Sequence, residues 1–202
     1  MSDITRVDRS DRIGLYLSVA FAVVGIAIAL TSMVGRLIDV APGHDIPVRV
    51  PLSGETVALP LGPDGALVSA QVDTVTVVVA DPASATLVAL WAQPVVVGLT
   101  WSIGLILAAM FCLQLAQADV FTRRSGNLVF LGAGVVTFGW FASSILTNMT
   151  TNGAMSALSE YTYETVNFSA GLAPAAAVLL LAAVGTAIRV GERLRRDTEG
   201  LV

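Results

Sequence analysis

Four apolar runs dominate the chain: Ile13–Val34, Val95–Leu115, Leu128–Thr147 and Ser169–Ile188. About 20 apolar residues are enough for a helix to cross a hydrocarbon core about 30 Å thick. None of the four runs contains Asp, Glu, His, Lys or Arg. A soluble core would be served by shorter, periodic runs. The pattern therefore predicts a membrane α-helical fold. Its four transmembrane helices lie at 13–34, 95–117, 128–147 and 169–188. The first run is longer than the 7–15 residues typical of a signal-peptide core, and no clean Ala-x-Ala site follows it, so it reads as a span. Gly14 and Gly25 give this helix a small-residue surface. Such surfaces suit close helix approach in lipid, and leave a second copy of the chain open as a partner.

Residues 35–80 have a different pattern. Pro42, Pro47, Pro51, Pro60 and Pro63 separate short β-favouring runs at Val48–Val50, Thr56–Leu59, Leu67–Gln71 and Thr74–Val79. These predict strands of a small antiparallel sheet packed on the ends of the spans. Ser53-Gly54 and Gly62-Pro63-Asp64-Gly65 read as its turns. Asp81-Pro82 is a helix-start signal, and a helical pattern then runs to about Gln117. That length, roughly 54 Å at 1.5 Å per residue, exceeds the hydrocarbon thickness. Gln93-Pro94 is the expected break, since proline removes a backbone donor and crowds the preceding turn. The reading is an outer helical piece over 81–94 and a span from 95. Residues 118–127 form a short polar turn and 148–168 a longer connection. After Phe121, Thr122 suits the N-cap of the third span. Phe121 occupies the staple position, but Gly126 opposite it has no side chain to receive it.

Charge orients this layout. The chain has 202 residues, 11 of them Arg and none Lys, and only 13% are charged, where a soluble domain has about a quarter. Nine arginines fall in residues 1–12, the 118–127 turn and the 189–202 tail; the other connections hold only Arg36 and Arg49, beside eight acidic residues. Cytoplasmic loops retain the positive excess. The expected topology has both termini and the 118–127 turn cytoplasmic. The β-rich segment between helices 1 and 2 and the 148–168 loop are then extracytoplasmic. The localisation implied is a plasma membrane, with the lipid bilayer as the first partner.

Candidate chemistry is sparse. His44 is the only histidine, beside Asp45 in the β-rich segment, and reads as a solvated loop residue. Cys112 is the only cysteine and reads as a small hydrophobe. There is no nucleotide-binding glycine motif and no intramembrane charge to mark an ion path. No catalytic residue, metal ligand set, cofactor or direct nucleic-acid contact is expected. Thr100, Ser102, Gln114, Thr137, Ser143 and Ser144 are expected to hydrogen-bond between helices. Asn148-Met149-Thr150 and Asn167-Phe168-Ser169 match the glycosylation pattern, which reads as chance.

Phe121, Thr122, Arg123, Arg124, Leu128 and Gly132 together form a Phe-Thr-basic turn opening a membrane helix. This resembles the DUF2975 family of uncharacterised bacterial membrane proteins, as does the layout of one span, a β-rich segment and three further spans. Ser125 stands where that family tends to have Asn. The resemblance implies no activity. It implies a bacterial plasma-membrane protein and, because many members are encoded beside a small helix-turn-helix regulator, a cytoplasmic partner of that kind. Phe121, Thr122, Arg123 and Arg124 are then the partner-binding candidates. The expectation is a non-enzymatic sensor or regulator. A small channel or transporter subunit, or an accessory subunit of a membrane complex, is the alternative.

Overall fold

The computed structural model describes residues 9–117, 122–159 and 173–199. Helix α1 (Arg9–Val40) leads into strand β1 (Ile46–Leu59), a 3-10 turn (Pro63–Gly65) and strand β2 (Val68–Val79); helices α2 (Ser84–Ala116), α3 (Arg123–Leu158) and α4 (Ala173–Glu199) follow. All four helices are long and apolar enough to cross a membrane.

Three expected boundaries move. The bend at Gln93-Pro94 does not end a helix: α2 is a single helix of 33 residues with Pro94 inside it. One lost backbone bond is tolerated where the flanking helix is long and packed. Helix α3 does not stop at Thr147 but takes in Asn148–Leu158, expected as loop. Its polar side chains do not compete destructively with the helix. Thr150 Oγ1, for example, donates to the Thr147 carbonyl at 2.9 Å, a local bond that a helix accommodates. Third, α1 continues past Val34 to Val40, where Arg36 and Asp39 approach to 3.8 Å one turn apart.

The chain divides into two compact units, the first comprising Met1–Gly35, Pro94–Ser144 and Ala170–Val202, the second Arg36–Gln93 and Ile145–Ser169. In the second unit the four expected strands are two long ones, paired antiparallel as a hairpin. Gly62-Pro63-Asp64-Gly65 is its turn, closed by Gly65 N–H to Gly62 O at 3.1 Å, with Asp64 at φ 58° and Gly65 at φ 79°. Asp and Gly are among the residues that tolerate this left-handed region. Ser53-Gly54 is not a turn. It lies within β1 at a register irregularity: Pro51 pairs with Thr74 and Glu55 with Val72, so three β1 residues face Asp73 alone. Such irregularities bend a strand and increase its local twist.

Alternation then fixes the core. Ile46, Val48 and Val50 pair with Val79, Val77 and Val75, all on one face of the hairpin because successive side chains alternate sides. This face packs on Val40 of α1, Leu87 and Leu90 of α2, and Ala154, Met155 and Ala157 of α3. Arg36 Nη2 ties the junction by donating to the Pro47 carbonyl at 2.7 Å. Beyond the bulge the hairpin is exposed, with Leu61 at 69% and Leu67 at 71%.

In the first unit, consecutive helices pair antiparallel. Leu105 of α2 meets Gly25 of α1, and Met33 of α1 meets Gly98 of α2; Thr100 of α2 sits against Gly139 of α3; Phe130 of α3 sits against Gly185 of α4. At Gly139 a Cβ would collide with the Thr100 side chain, so only glycine permits this approach.

A contrast between two valines tests the hairpin packing. Val50→Ala should destabilise the protein by about 2 kcal/mol, from lost burial and a residual cavity. Val78→Ala, on the exposed hairpin face, should stay within about 0.5 kcal/mol. Thermal unfolding in detergent distinguishes them, and equal effects would contradict the assigned face.

Candidate interaction site at the junction of α2 and α3

Helix α2 ends with Gln117 N–H bonded to the Gln114 carbonyl at 3.1 Å. Across the turn, Thr122 caps α3 as its sequence position suggested. Its Oγ1 accepts from Ser125 N–H at 3.2 Å, and its carbonyl accepts from Gly126 N–H at 3.1 Å. An N-cap of this kind is worth about 1 kcal/mol.

Ser125 links this cap to α2. Its side chain is fully buried, and its Oγ donates to Gln114 Oε1 at 2.9 Å. A hydroxyl has one proton. With that proton on the glutamine oxygen, Ser125 Oγ acts as acceptor toward Thr122 Oγ1, 3.0 Å away. The chain Thr122, Ser125, Gln114 is thus directional and joins the start of α3 to the end of α2. Polar bonds inside an apolar setting are costly to leave unmade.

Arg123 opens α3, and Arg124 is exposed in its first turn. Phe121 and residues 118–120 lie outside the described residues. The space at Gly126, which lacks a side chain to staple, is filled from α4 instead: a Cβ there would lie 3.6 Å from Arg189 Cγ and 3.8 Å from Ile188 Cγ2. The Arg189 guanidinium lies over the Phe130 ring, 4.0 Å from its centroid, a cation–π geometry.

The polar residues of the helices behave differently from expectation. Gln114 does bridge two helices. Thr100, Thr137 and Ser143 instead donate to carbonyls of their own helix, at Val96, Ala133 and Trp140, because a hydroxyl three or four residues on reaches that carbonyl without a partner helix. Ser102 Oγ is buried with no hydrogen-bond partner among the described residues. A bridge unmarked in the sequence is Gln93 Nε2 to Thr147 Oγ1 at 2.9 Å, between α2 and α3 in the second unit. Its only sequence signal is a polar residue on each of two neighbouring helices. Thr86, Asn148, Thr150 and Thr151 are buried in the same unit. Burial of Asn148 within α3 suits the chance reading of its glycosylation match. Asn167 lies outside the described residues. His44 is an exposed loop residue, its Nδ1 3.2 Å from Asp45 Oδ2. Cys112 is half-buried within α2. Among the described residues no three His, Cys, Asp or Glu side chains gather as metal ligands.

No protein-family model, curated protein or solved structure matches this chain.

The Ser125 linkage makes a direct prediction. Ser125→Ala removes the donor to the half-buried Gln114 amide oxygen and should destabilise the protein by about 1–2 kcal/mol. Gln114→Leu in the same chain should recover part of the loss, since both polar partners are then gone. A double-mutant cycle on thermal unfolding measures this coupling. Strictly additive losses would contradict the bond.

Proposed function

We propose that this is a non-enzymatic integral membrane protein of the bacterial plasma membrane, a sensor or regulator with both termini cytoplasmic. In this reading the arginine turn after α2 receives a small cytoplasmic helix-turn-helix protein through Phe121, Thr122, Arg123 and Arg124. The hairpin outside the cell meets the ligand or partner that is sensed. The observation that carries the reading is the anchoring of that turn. Thr122 and Ser125 bind it to α2 and α3, while Arg124 is left exposed. A residue that only set topology would need no such mounting. The arginine distribution supports the orientation, and the resemblance of Phe121–Arg124 to the DUF2975 turn supports the partner class. Hydroxyls turned back on their own helices favour this reading over a polar pore.

Orientation is tested on a Cys112→Ala background carrying Ser53→Cys, Ser156→Cys or Asn127→Cys. Asn127 is exposed near the start of α3, so its reactivity reports the side of the membrane, whereas Ser125 is too buried to do so. Impermeant thiol reagents should label positions 53 and 156 from outside intact cells. Position 127 should be labelled only after the cells are opened; labelling there in intact cells overturns the topology. Docking is tested with Arg123→Gln/Arg124→Gln. Seven arginines remain on the expected inner side, so the variant should insert as the wild type does. It should lose co-purification with the helix-turn-helix protein by at least tenfold. Unchanged capture with preserved orientation would refute docking through this turn.

A further inference from the structure

The pairing of α3 with α4 brings charged residues from two separate stretches to one end of an apolar wall. Gly185 faces Phe130, and Arg189 faces Gly126. The helices therefore run antiparallel here, and Arg124 in the first turn of α3 lies at the same end as Arg189 and Arg193 of α4. Arg193 is one turn beyond Arg189, about 6 Å along the axis. All three arginines are exposed, and none of the three takes part in the ion pairs seen at Arg36 and His44. Arg189 is the fixed member: its stem lies on Gly126 and its guanidinium on the Phe130 ring. On the same faces, α4 presents exposed Leu179, fourteen residues before Arg193, and α3 presents exposed Leu131, seven residues after Arg124.

We propose that this end of the α3–α4 pair is a binding surface for an anionic phospholipid. Its phosphate is held by Arg189 and Arg193 with Arg124 at the rim, and its acyl chains lie along Leu179 and Leu131. Charge complementarity and position select this occupant. Three exposed guanidinia stand where an apolar run of helix gives way to charge, which is the depth of lipid phosphates. Guanidinium binds phosphate oxygens in a planar, bidentate manner that an ammonium does not reproduce. Basic pockets between helices at this depth bind anionic headgroups. A free phosphate would make no use of the apolar wall below.

This surface shares only Arg124 with the proposed regulator-docking turn, so its test changes α4 alone. Full-length protein in neutral detergent is titrated with dioleoyl phosphatidylglycerol, dioleoyl phosphatidylcholine or inorganic phosphate, and bound lipid is counted by native mass spectrometry. Phosphatidylglycerol should be retained at least tenfold better than phosphatidylcholine, and retention should fall as salt is raised. Arg189→Gln/Arg193→Gln should remove that preference while unfolding at a similar temperature; Arg49→Gln should not. The salt titration needs no variant, so the proposal stays testable if the double variant fails to fold. Equal retention of the two lipids overturns it. So does a preference that survives both substitutions, or one that millimolar inorganic phosphate abolishes, which would assign the arginines to free phosphate.

Discussion

Hydrocarbon does not push apolar helices together, because lipid tails are as apolar as leucine. Association must come from close packing and from polar groups that find each other. Helices α1 to α4 have the composition that faces this constraint, and their contacts show both solutions. In the first unit, Gly139 admits Thr100 and Gly185 admits Phe130; Gln114 and Ser125 add a part-buried hydrogen bond. In the second unit, Thr86 approaches Gly153 and Gln93 donates to Thr147. Within each unit the α2 residues that meet α3 are a multiple of seven apart, Thr86 with Gln93 and Thr100 with Gln114. That spacing keeps both members of a pair on one face of the helix. Glycine and threonine supply closeness, and glutamine supplies reach.

The hairpin obeys a different rule. It has a conventional apolar face, Ile46, Val48 and Val50 against Val75, Val77 and Val79, and needs something apolar beneath it. The ends of α1, α2 and α3 provide that through Val40, Leu90 and Ala154. This explains why α1 and α3 continue past their most apolar stretches: only the extensions carry Val40 and Ala154 under the strands. A two-stranded ribbon alone is marginal in water, so the helix extensions and the hairpin require each other. The bulge at Pro51–Glu55 marks the limit of this support, since the strands beyond it are largely exposed.

What was legible in the sequence follows from range. Apolar length showed four helices able to cross a membrane, Gly62–Gly65 showed a turn, and Thr122 showed a cap, because each depends on neighbours within a few residues. The helical state of Asn148–Leu158 was not legible. Its Thr and Asn side chains favour loops in isolation, and it is helical because Ala154 and Met155 pack under the hairpin. Pro94 likewise looked like a break, yet α2 continues because packing on both sides outweighs one lost bond. Ser53-Gly54 looked like a turn, but the pairing of Glu55 with Val72 carries the strand through it. For the candidate site, the Arg pair was visible and its mounting was not: Ser125 and Gln114 are eleven residues apart and meet only when α2 and α3 fold together.

Gly126 shows how these levels combine. As the fourth residue of α3 it is a poor choice for helix stability, costing up to about 1 kcal/mol relative to alanine, and it offers Phe121 nothing to staple against. Its missing side chain serves α4 instead, admitting the stem of Arg189 and the edge of Ile188. That placement brings the guanidinium over Phe130. Lysine would satisfy a charge rule at position 189 equally well, but its compact ammonium does not lie flat on a ring. The local loss at Gly126 and the choice of arginine at 189 are therefore one feature, in which a helix start is weakened so that two helices and a cation can share the same few ångströms.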